Sequence, residues 1–429
     1  HRLAGVLVLS VIPILGAAFQ AFATARLADS NFSLKTDMRF VKLSTVAHSL
    51  LWMVCSFLTV YLFQWQFVIR QQWNWGRVIL LDELLIMTPA LISLIGSWAV
   101  QFESQASLIP AKDRFRERFD YVMIRCRVYL FIVLAPILLI LLAKDLMPYV
   151  QNISPAIGAG LSLLVMTSLL CFMPWIVRII WKNHPMPASA RKQPLLDLCH
   201  AHGLTIRDIR VWDTGLQLVN ALVAGVVPRF RFLMVSDLLL ETFPTHELHA
   251  ILRHEAGHVR LKHLQTRIGF VLLPVLSLLA FEFDPNRTFD SLTKYCLQEV
   301  LALPVQPNLI IGLLFFGYMV AVTAWLSRKM EFEADLYAIG ALMRGGKVAM
   351  PIQSHSQAMA DALLRFGDQN PDQFESGSLT HPSLIERLNW IKTAKRSPEK
   401  IRQFQLIFTL QRWGLAFTFL VSTVFLISQ

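Results

Sequence analysis

The residues best suited to chemistry lie in one short segment, His254-Glu255-Ala256-Gly257-His258. Around it, Leu248, Ile251, Leu252, Val259 and Leu264 keep helical spacing, with Thr245 read as the N-cap. Histidines at i and i+4 of a helix share a face. Two imidazoles so placed can hold one zinc ion from one side. Glu255 follows the first of them, where it reaches water activated by the metal rather than the metal itself. Zinc acidifies that water and the carboxylate takes its proton, which is general-base chemistry. The pattern arises by chance in about one chain in a hundred of this length, so alone it is only suggestive. His246, His249 and His263 do not share the required face and read as surface or interfacial residues.

A catalytic zinc needs a third protein ligand and an open fourth position. The segment Ser327-Arg-Lys-Met-Glu-Phe-Glu-Ala-Asp335 offers Glu331 and Asp335, i and i+4 on one helical face. Glu333 is rotated away and reads as solvated. Taken alone, the segment reads better as a charged helix exit at a membrane surface.

The elements that must position these residues are largely apolar. Of 429 residues, 55% are hydrophobic and 16% charged, against about 25% charged in soluble domains. Mean hydropathy is +0.49. This excludes a disordered chain and argues against a soluble cytosolic enzyme. The five cysteines are scattered without paired spacing, which indicates neither a disulfide framework nor a cysteine zinc site. Runs long and apolar enough to span a bilayer are Leu3 to Ala25, Leu43 to Ile69 and Leu84 to Phe102. Further runs are Val128 to Ala143, a stretch ending at Val177 from about Ile157, Ile268 to Phe281, and one ending at Ser327 from about Asn308. The last is Trp413 to Gln429. Ala23-Thr24-Ala25 has the small-residue pattern of a signal-peptidase site, but the preceding run exceeds a usual signal core, so it is read as a membrane helix. Asp82 and Glu83 open the third span and read either as acids that reach the headgroups, the favoured reading, or as intramembrane acids lining a polar cavity.

Lys and Arg orient the bundle. Loop one carries Arg26, Lys35, Arg39 and Lys42, and loop three carries Lys112, Arg114, Arg116, Arg118, Arg125 and Arg127. Loop two has Arg70 and Arg77, loop four only Lys144, and loop six Arg287 and Lys294. The alternation places odd loops inside, and with them residues 178–267 and 328–412. The formal net charge of +11 is thus a positive-inside signature rather than a nucleic-acid patch.

Together, His254-Glu255-x-x-His258 and the later Ser327-Arg328 with Glu331 and Asp335 resemble the integral-membrane zinc metallopeptidases that include the type I CAAX prenyl proteases and HtpX. The resemblance implies Glu331 as third zinc ligand, one Zn2+ per chain, and Asp335 as the carboxylate that orients a ligand histidine. It implies a gluzincin-type peptidase domain. Asn220-Ala221-Leu222-Val223-Ala224-Gly225 and Phe232 to Leu239 look like the family's Asn-Ala strand and its return strand. An edge strand there would hold an extended peptide by backbone hydrogen bonds. Asn220 could donate to the oxyanion, or equally serve as a turn residue. The His381-Pro382 to Arg387 segment is similar to the family's His-Pro-x-x-x-x-Arg. By that resemblance His381 stabilises the oxyanion and Arg387 pairs with carboxylates near the site.

The expected fold is mainly α. It is a multi-pass membrane helical bundle of about seven or eight spans whose peptidase domain carries a small β-hairpin or sheet. Residues 1–181 form the N-terminal membrane region. Residues 182–404 form the peptidase domain, with membrane helices at about 266–283 and 307–327. Residues 405–429 form a C-terminal hydrophobic helix. The expected function is a zinc metalloendopeptidase acting on membrane proteins or lipidated peptides, with the lipid bilayer as partner and the zinc site facing the cytoplasm, in a bacterial inner membrane or a eukaryotic endomembrane. Two alternatives stand: an HtpX-like quality-control protease, and a non-proteolytic membrane receptor or scaffold on a protease fold.

Overall fold

In a computed structural model, the described residues are all except 29–33, 77, 107–112, 152–163, 166–167, 169–171, 190, 217, 226, 271–306, 344–346, 370–373 and 429. Much of the expected spans ending at Val177 and at Phe281, loop six with Arg287 and Lys294, and Cys171 and Cys296 lie outside them. The chain divides into two compact units, His1–Lys182 and Asn183–Gln429.

The first unit is helical: α1 (Arg2–Ala28), α2 (Leu34–Tyr61), α3 (Leu81–Ala106), α4 (Arg114–Arg125) and α5 (Ile132–Gln151). Among the described residues four helical stretches are long and apolar enough to cross a membrane, namely Arg2–Arg26, Leu43–Tyr61, Leu81–Glu103 and Arg114–Leu142. The fourth begins earlier than Val128 because a π-helical turn, Cys126–Phe131, joins α4 to α5 without a break. The second ends at Tyr61 rather than Ile69. Gln64 turns left-handed (φ 49°), and Trp65 folds inward among Val6, Val68 and Ile69, its indole N–H donating to the Leu85 carbonyl at 3.0 Å.

Asp82 and Glu83 are not exposed at the helix start. Both are buried and turn to Arg70, whose Nε lies 2.6 Å from Asp82 Oδ2 and Nη2 3.3 Å from Glu83 Oε1. The π-helical turn Val68–Gln72 brings Arg70 to them, so the buried acids are paired with a cation.

The second unit holds a four-stranded mixed sheet in the order β1-β2-β4-β3: β1 (Asn183–Pro185), β2 (Ile209–Trp212), β3 (Ala221–Ala224) and β4 (Phe232–Ser236). Strands β3 and β4 pair antiparallel, as the hairpin reading expects, and β2 runs parallel to β4. Gly225 sits at φ 123° with the Arg231 backbone 2.9 Å from where a Cβ would be, so this turn needs glycine. The return strand stops at Ser236, not Leu239. The Ser236 hydroxyl accepts from the Leu239 N–H and starts helix α7.

The helices of this unit are α6 (Lys192–Ala201), α7 (Asp237–Thr242), α8 (Thr245–Arg260), α9 (Pro307–Ala338), α10 (Gln353–Gln369), α11 (Leu384–Arg396) and α12 (Pro398–Ser428). Residue Pro244, not Thr245, occupies the N-cap of α8, and its fixed ring suits a chain just entering a helix. The expected seventh span and the Glu331 helix are one unbroken element, α9. The C-terminal helix begins at Pro398, well before Trp413, and its first turns bury Ile401 and Phe408. Leu233, Val235, Leu248 and Leu252 join sheet and α8 in one core, while Leu336, Ile339, Met359 and Leu363 join α9 to α10 in another.

Candidate metal centre

Helices α8 and α9 cross where both carry small residues. A Cβ on Gly257 would stand 3.1 Å from Ala334 Cα and 3.1 Å from Tyr337 Cβ. This close approach brings the two halves of the predicted site together.

The His254 and His258 Nε2 atoms lie 3.2 Å apart. Glu331 places Oε2 3.4 Å from His254 Nε2 and Oε1 3.4 Å from His258 Nε2. Tetrahedral zinc with arms of about 2.0–2.1 Å sets its ligand atoms about 3.3–3.4 Å apart. The Glu331 carboxylate thus faces both imidazoles, one oxygen to each, at the spacing such a tetrahedron sets between ligand atoms, and two imidazoles with one carboxylate are a zinc donor set. His254, Glu255 and His258 also each bring a ligand atom within 4.8 Å of the others.

Burial and neighbouring charges set the protonation of these groups in the absence of an ion. Burial favours a neutral Glu331, but His254, His381 and His258 outweigh it and hold the carboxyl well below its usual range. Burial depresses His258 well below the ordinary histidine value, leaving a free base with a lone pair. Burial also depresses His254, yet Asp335 and Glu331 win and lift it to about 9. Burial, helped by the Glu331 charge, raises Glu255 to about 7, against His254, a hydrogen bond from the Val223 N–H and Arg387.

Asp335 is fully buried. Its Oδ1 lies 2.9 Å from His254 Nδ1, the ring nitrogen opposite the one that faces Glu331. Arg387 grips the same carboxylate through Nη2 at 2.6 Å and Nε at 2.9 Å, and its Nη1 is 3.8 Å from Glu331 Oε2. Arg387 thus pairs with both carboxylates, and Asp335 is pinned against the ring it orients.

His381 comes to the cluster on a loop before α11, its Nδ1 3.3 Å from Glu331 Oε2. Arg328 holds that loop. Its Nη1 donates to the Ser378 carbonyl at 3.2 Å and the His381 carbonyl at 3.4 Å, and its Nη2 takes both Glu386 oxygens at 3.1 and 2.9 Å. Glu386 in turn closes a capping box with Ser383 at the start of α11. Arg328 carried no role in the sequence reading beyond its place in the Ser-Arg pair.

Asn220 immediately precedes β3. Its backbone is stapled to Ser236, with the Ser236 N–H donating to the Asn220 carbonyl at 2.9 Å, while its side chain is exposed. The structure does not bring that side chain into the cluster. The staple fixes which way β3 faces. Since the Asn220 carbonyl points to β4, Leu222 and Ala224 follow it, and the backbone groups of Ala221 and Val223 point to the free edge. Glu255 accepts from Val223 there.

Two residues depart from expectation. His263 and Glu333 are both buried, 1% and 2% exposed. His263 Nδ1 is 2.8 Å from His258 Nδ1, and its Nε2 is 3.1 Å from Glu333 Oε2. Helix α8 ends at Leu261, and Lys262 turns left-handed (φ 59°), which swings His263 back over His258. Five residues along an uninterrupted helix would have set it about 140° away. The burial of Glu333 follows, because His263 and Arg412, 3.8 Å from its Oε2, cover it.

Residues 207–395 match the family described as Peptidase family M48. A CAAX prenyl protease 1 homolog of Arabidopsis thaliana is 23% identical over 307 residues, covering 66% of this chain and 67% of that protein. Protease HtpX of Pseudomonas fluorescens is 27% identical over 181 residues, covering 40% of this chain and 61% of its own. The crystal structure of S. mikatae Ste24p aligns with 90% of this chain and 98% of its own at 16% identity and a TM-score of 0.45. Residues 207–395, with the His-Glu-x-x-His group within them, thus form a peptidase family M48 region, and this region makes the chain a zinc metalloendopeptidase.

Proposed function

We propose that this protein cleaves peptide bonds in membrane-associated or lipidated protein substrates, in the manner the name CAAX prenyl protease implies for its relatives. The observation that carries this is the tetrahedral spacing of His254, His258 and Glu331 beside Glu255 and the free edge of β3. One zinc ion per chain would be held by those three ligands. Bound zinc supplies Lewis acidity, which activates water and polarises the scissile carbonyl.

The chain's own residues do the rest. An extended substrate pairs along the outward backbone groups of Ala221 and Val223. That lays its scissile bond beside Glu255. The Glu255 carboxylate accepts a proton from the attacking water and returns it to the leaving amine. His381 donates to the developing oxyanion; the exposed Asn220 side chain, expected to share this task, would have to turn inward to reach it. Asp335 and Arg387 hold His254 in the tautomer that leaves Nε2 free. The four apolar helices make this an integral membrane protein, and the excess of Lys and Arg in the first and third loops supports a cytoplasmic zinc site. The similarity to HtpX supports a second reading, in which the substrates are damaged membrane proteins without lipidation. A receptor or scaffold would need no Glu255.

The test compares wild type with Glu255→Gln on prenylated peptides, matched unprenylated peptides and an unfolded membrane protein, with zinc content measured in both. The variant is expected to keep its zinc and lose activity by about 10²–10⁴-fold. Equal activity in the two proteins overturns the mechanism, and indifference to the prenyl group favours the second reading.

A further inference from the structure

Each ligand histidine presents Nε2 to the centre, so each must carry its proton on Nδ1. For His254 the acceptor of that proton is Asp335. For His258 it is another histidine. The Nδ1–Nδ1 distance of 2.8 Å to His263 is a hydrogen bond with one possible polarity. His258 Nδ1–H donates, so His263 Nδ1 accepts. The His263 proton then sits on Nε2, and it points at Glu333 Oε2, 3.1 Å away. The last link is Arg412 of α12, with Nη1 3.8 Å from the same carboxylate oxygen. Arg412 is itself held over the Phe408 ring, 4.3 Å from its centroid.

The two ligands are thus served by parallel chains. His254 leads to Asp335 and Arg387; His258 leads to His263, Glu333 and Arg412. Both end on a guanidinium, and in both a buried carboxylate sets the direction of every proton. The second chain is the longer, and it ends on the C-terminal helix.

We propose that His263 and Glu333 are positioning residues for the zinc site, fixing the tautomer and ring orientation of His258, and that Arg412 couples the C-terminal helix to this relay. The proposal rests on the assignment of His258 as a zinc ligand. Loss of such outer partners lowers metal affinity by about 10–100-fold. His263 is central because it alone touches the ligand. Glu333 acts one step out and Arg412 two.

The experiment measures zinc dissociation by competition with a fluorescent chelator, on the full-length protein in detergent. The variants are His263→Ala, His263→Asn, Glu333→Leu and Arg412→Ala, each checked for helicity and melting temperature. Cobalt(II) spectra of the same proteins report the ligand field directly. His263→Ala is expected to weaken zinc binding about 10–100-fold and to alter the cobalt spectrum. Asparagine at 263 places Oδ1 where the imidazole Nδ1 stood, so His263→Asn should recover most of the affinity and the spectrum. Glu333→Leu should fall between the two, and Arg412→Ala should lose the least. A role in stability alone would lower melting temperatures and leave the cobalt spectrum unmoved. Wild-type affinity and spectrum in His263→Ala, with zinc bound tightly by the wild type, overturns the relay while leaving the metal site intact. Failure of the wild type to bind zinc overturns the ligand assignment and the relay with it.

Discussion

Gly257 is the point at which the metal centre can be pried open without touching a ligand. Replacing it with alanine puts a Cβ 3.1 Å from Ala334 Cα, 3.1 Å from Tyr337 Cβ and 3.3 Å from the Ala334 carbonyl oxygen. Ordinary carbon contacts need about 3.5–4.0 Å, so the helices must separate by about 0.4–0.9 Å. Two of the three obstructing atoms are backbone, which cannot rotate out of the way. Ala334 lies one turn from Glu331, so the separation is passed to the third ligand. Glu331 now lies 3.4 Å from each imidazole. Displaced, it would stand about 3.8–4.3 Å away, well beyond the tolerance of about 0.2 Å in metal–ligand distances. The fold should survive. Overpacking costs about 1–3 kcal/mol, and the gain of helix propensity from Gly to Ala returns about 1 kcal/mol. The remainder is small beside a typical stability of about 5–15 kcal/mol. Gly257→Ala is therefore expected to melt within a few degrees of wild type yet bind zinc at least about tenfold more weakly, or about 1.4 kcal/mol. Gly269→Ala is the control, since among the described residues nothing lies within 4 Å of its added methyl. Unchanged zinc affinity in Gly257→Ala, with an unchanged melting temperature, would refute the claim that this crossing sets the ligand spacing.

The His381 loop is open to the same kind of probe. In Gly377→Ala the new methyl meets the His381 carbonyl at 2.5 Å and the Ser383 nitrogen at 2.8 Å, so the loop shifts and takes His381 from Glu331. Turnover should drop by about 10²–10³-fold, as for a lost oxyanion donor, with zinc content retained; full turnover would exclude His381 from the reaction. A pH effect on stability should arise away from the metal. Burial holds His202, His249 and His355 below the ordinary value of 6.5, and each feels the positive charge of Arg253, with Arg260 also facing His202 and His246 facing His249. Groups depressed in the folded state bind more protons when unfolded, so stability is intact above about pH 7 and falls as the pH drops through 6.5. Melting temperature across pH 5 to 8 tests this, and a flat profile would count against it.

The His254–His258 pair was legible because both residues lie on one helix, where the sequence interval alone fixes the face. Glu331 and Asp335 were readable as a pair for the same reason. Their meeting with the histidines was not, because it depends on Gly257 and Ala334 allowing two distant helices to touch. His263 was misread because a single left-handed residue, Lys262, breaks the periodicity that placed it on another face. Glu333 followed, since its partners are His263 and a residue 79 positions further on. Asp82 and Glu83 were misjudged in the same way: no hydropathy pattern shows that a π-helical turn delivers Arg70 to them. The hairpin was plain from its apolar strands and the glycine between them, but β1 is too short to leave a signal.

The unbroken course of α9 makes it a ruler. Its 32 residues measure about 48 Å at 1.5 Å per residue, and Glu331 stands about 36 Å from its first residue. A hydrocarbon core is about 30 Å thick. For a helix entering the bilayer at its first turn, the third ligand emerges only a few ångströms past the lipid tails. On the proposed reading, bonds it could reach would lie within a few residues of a substrate's membrane anchor, so depth in the membrane, as much as side-chain identity, would select what is cut.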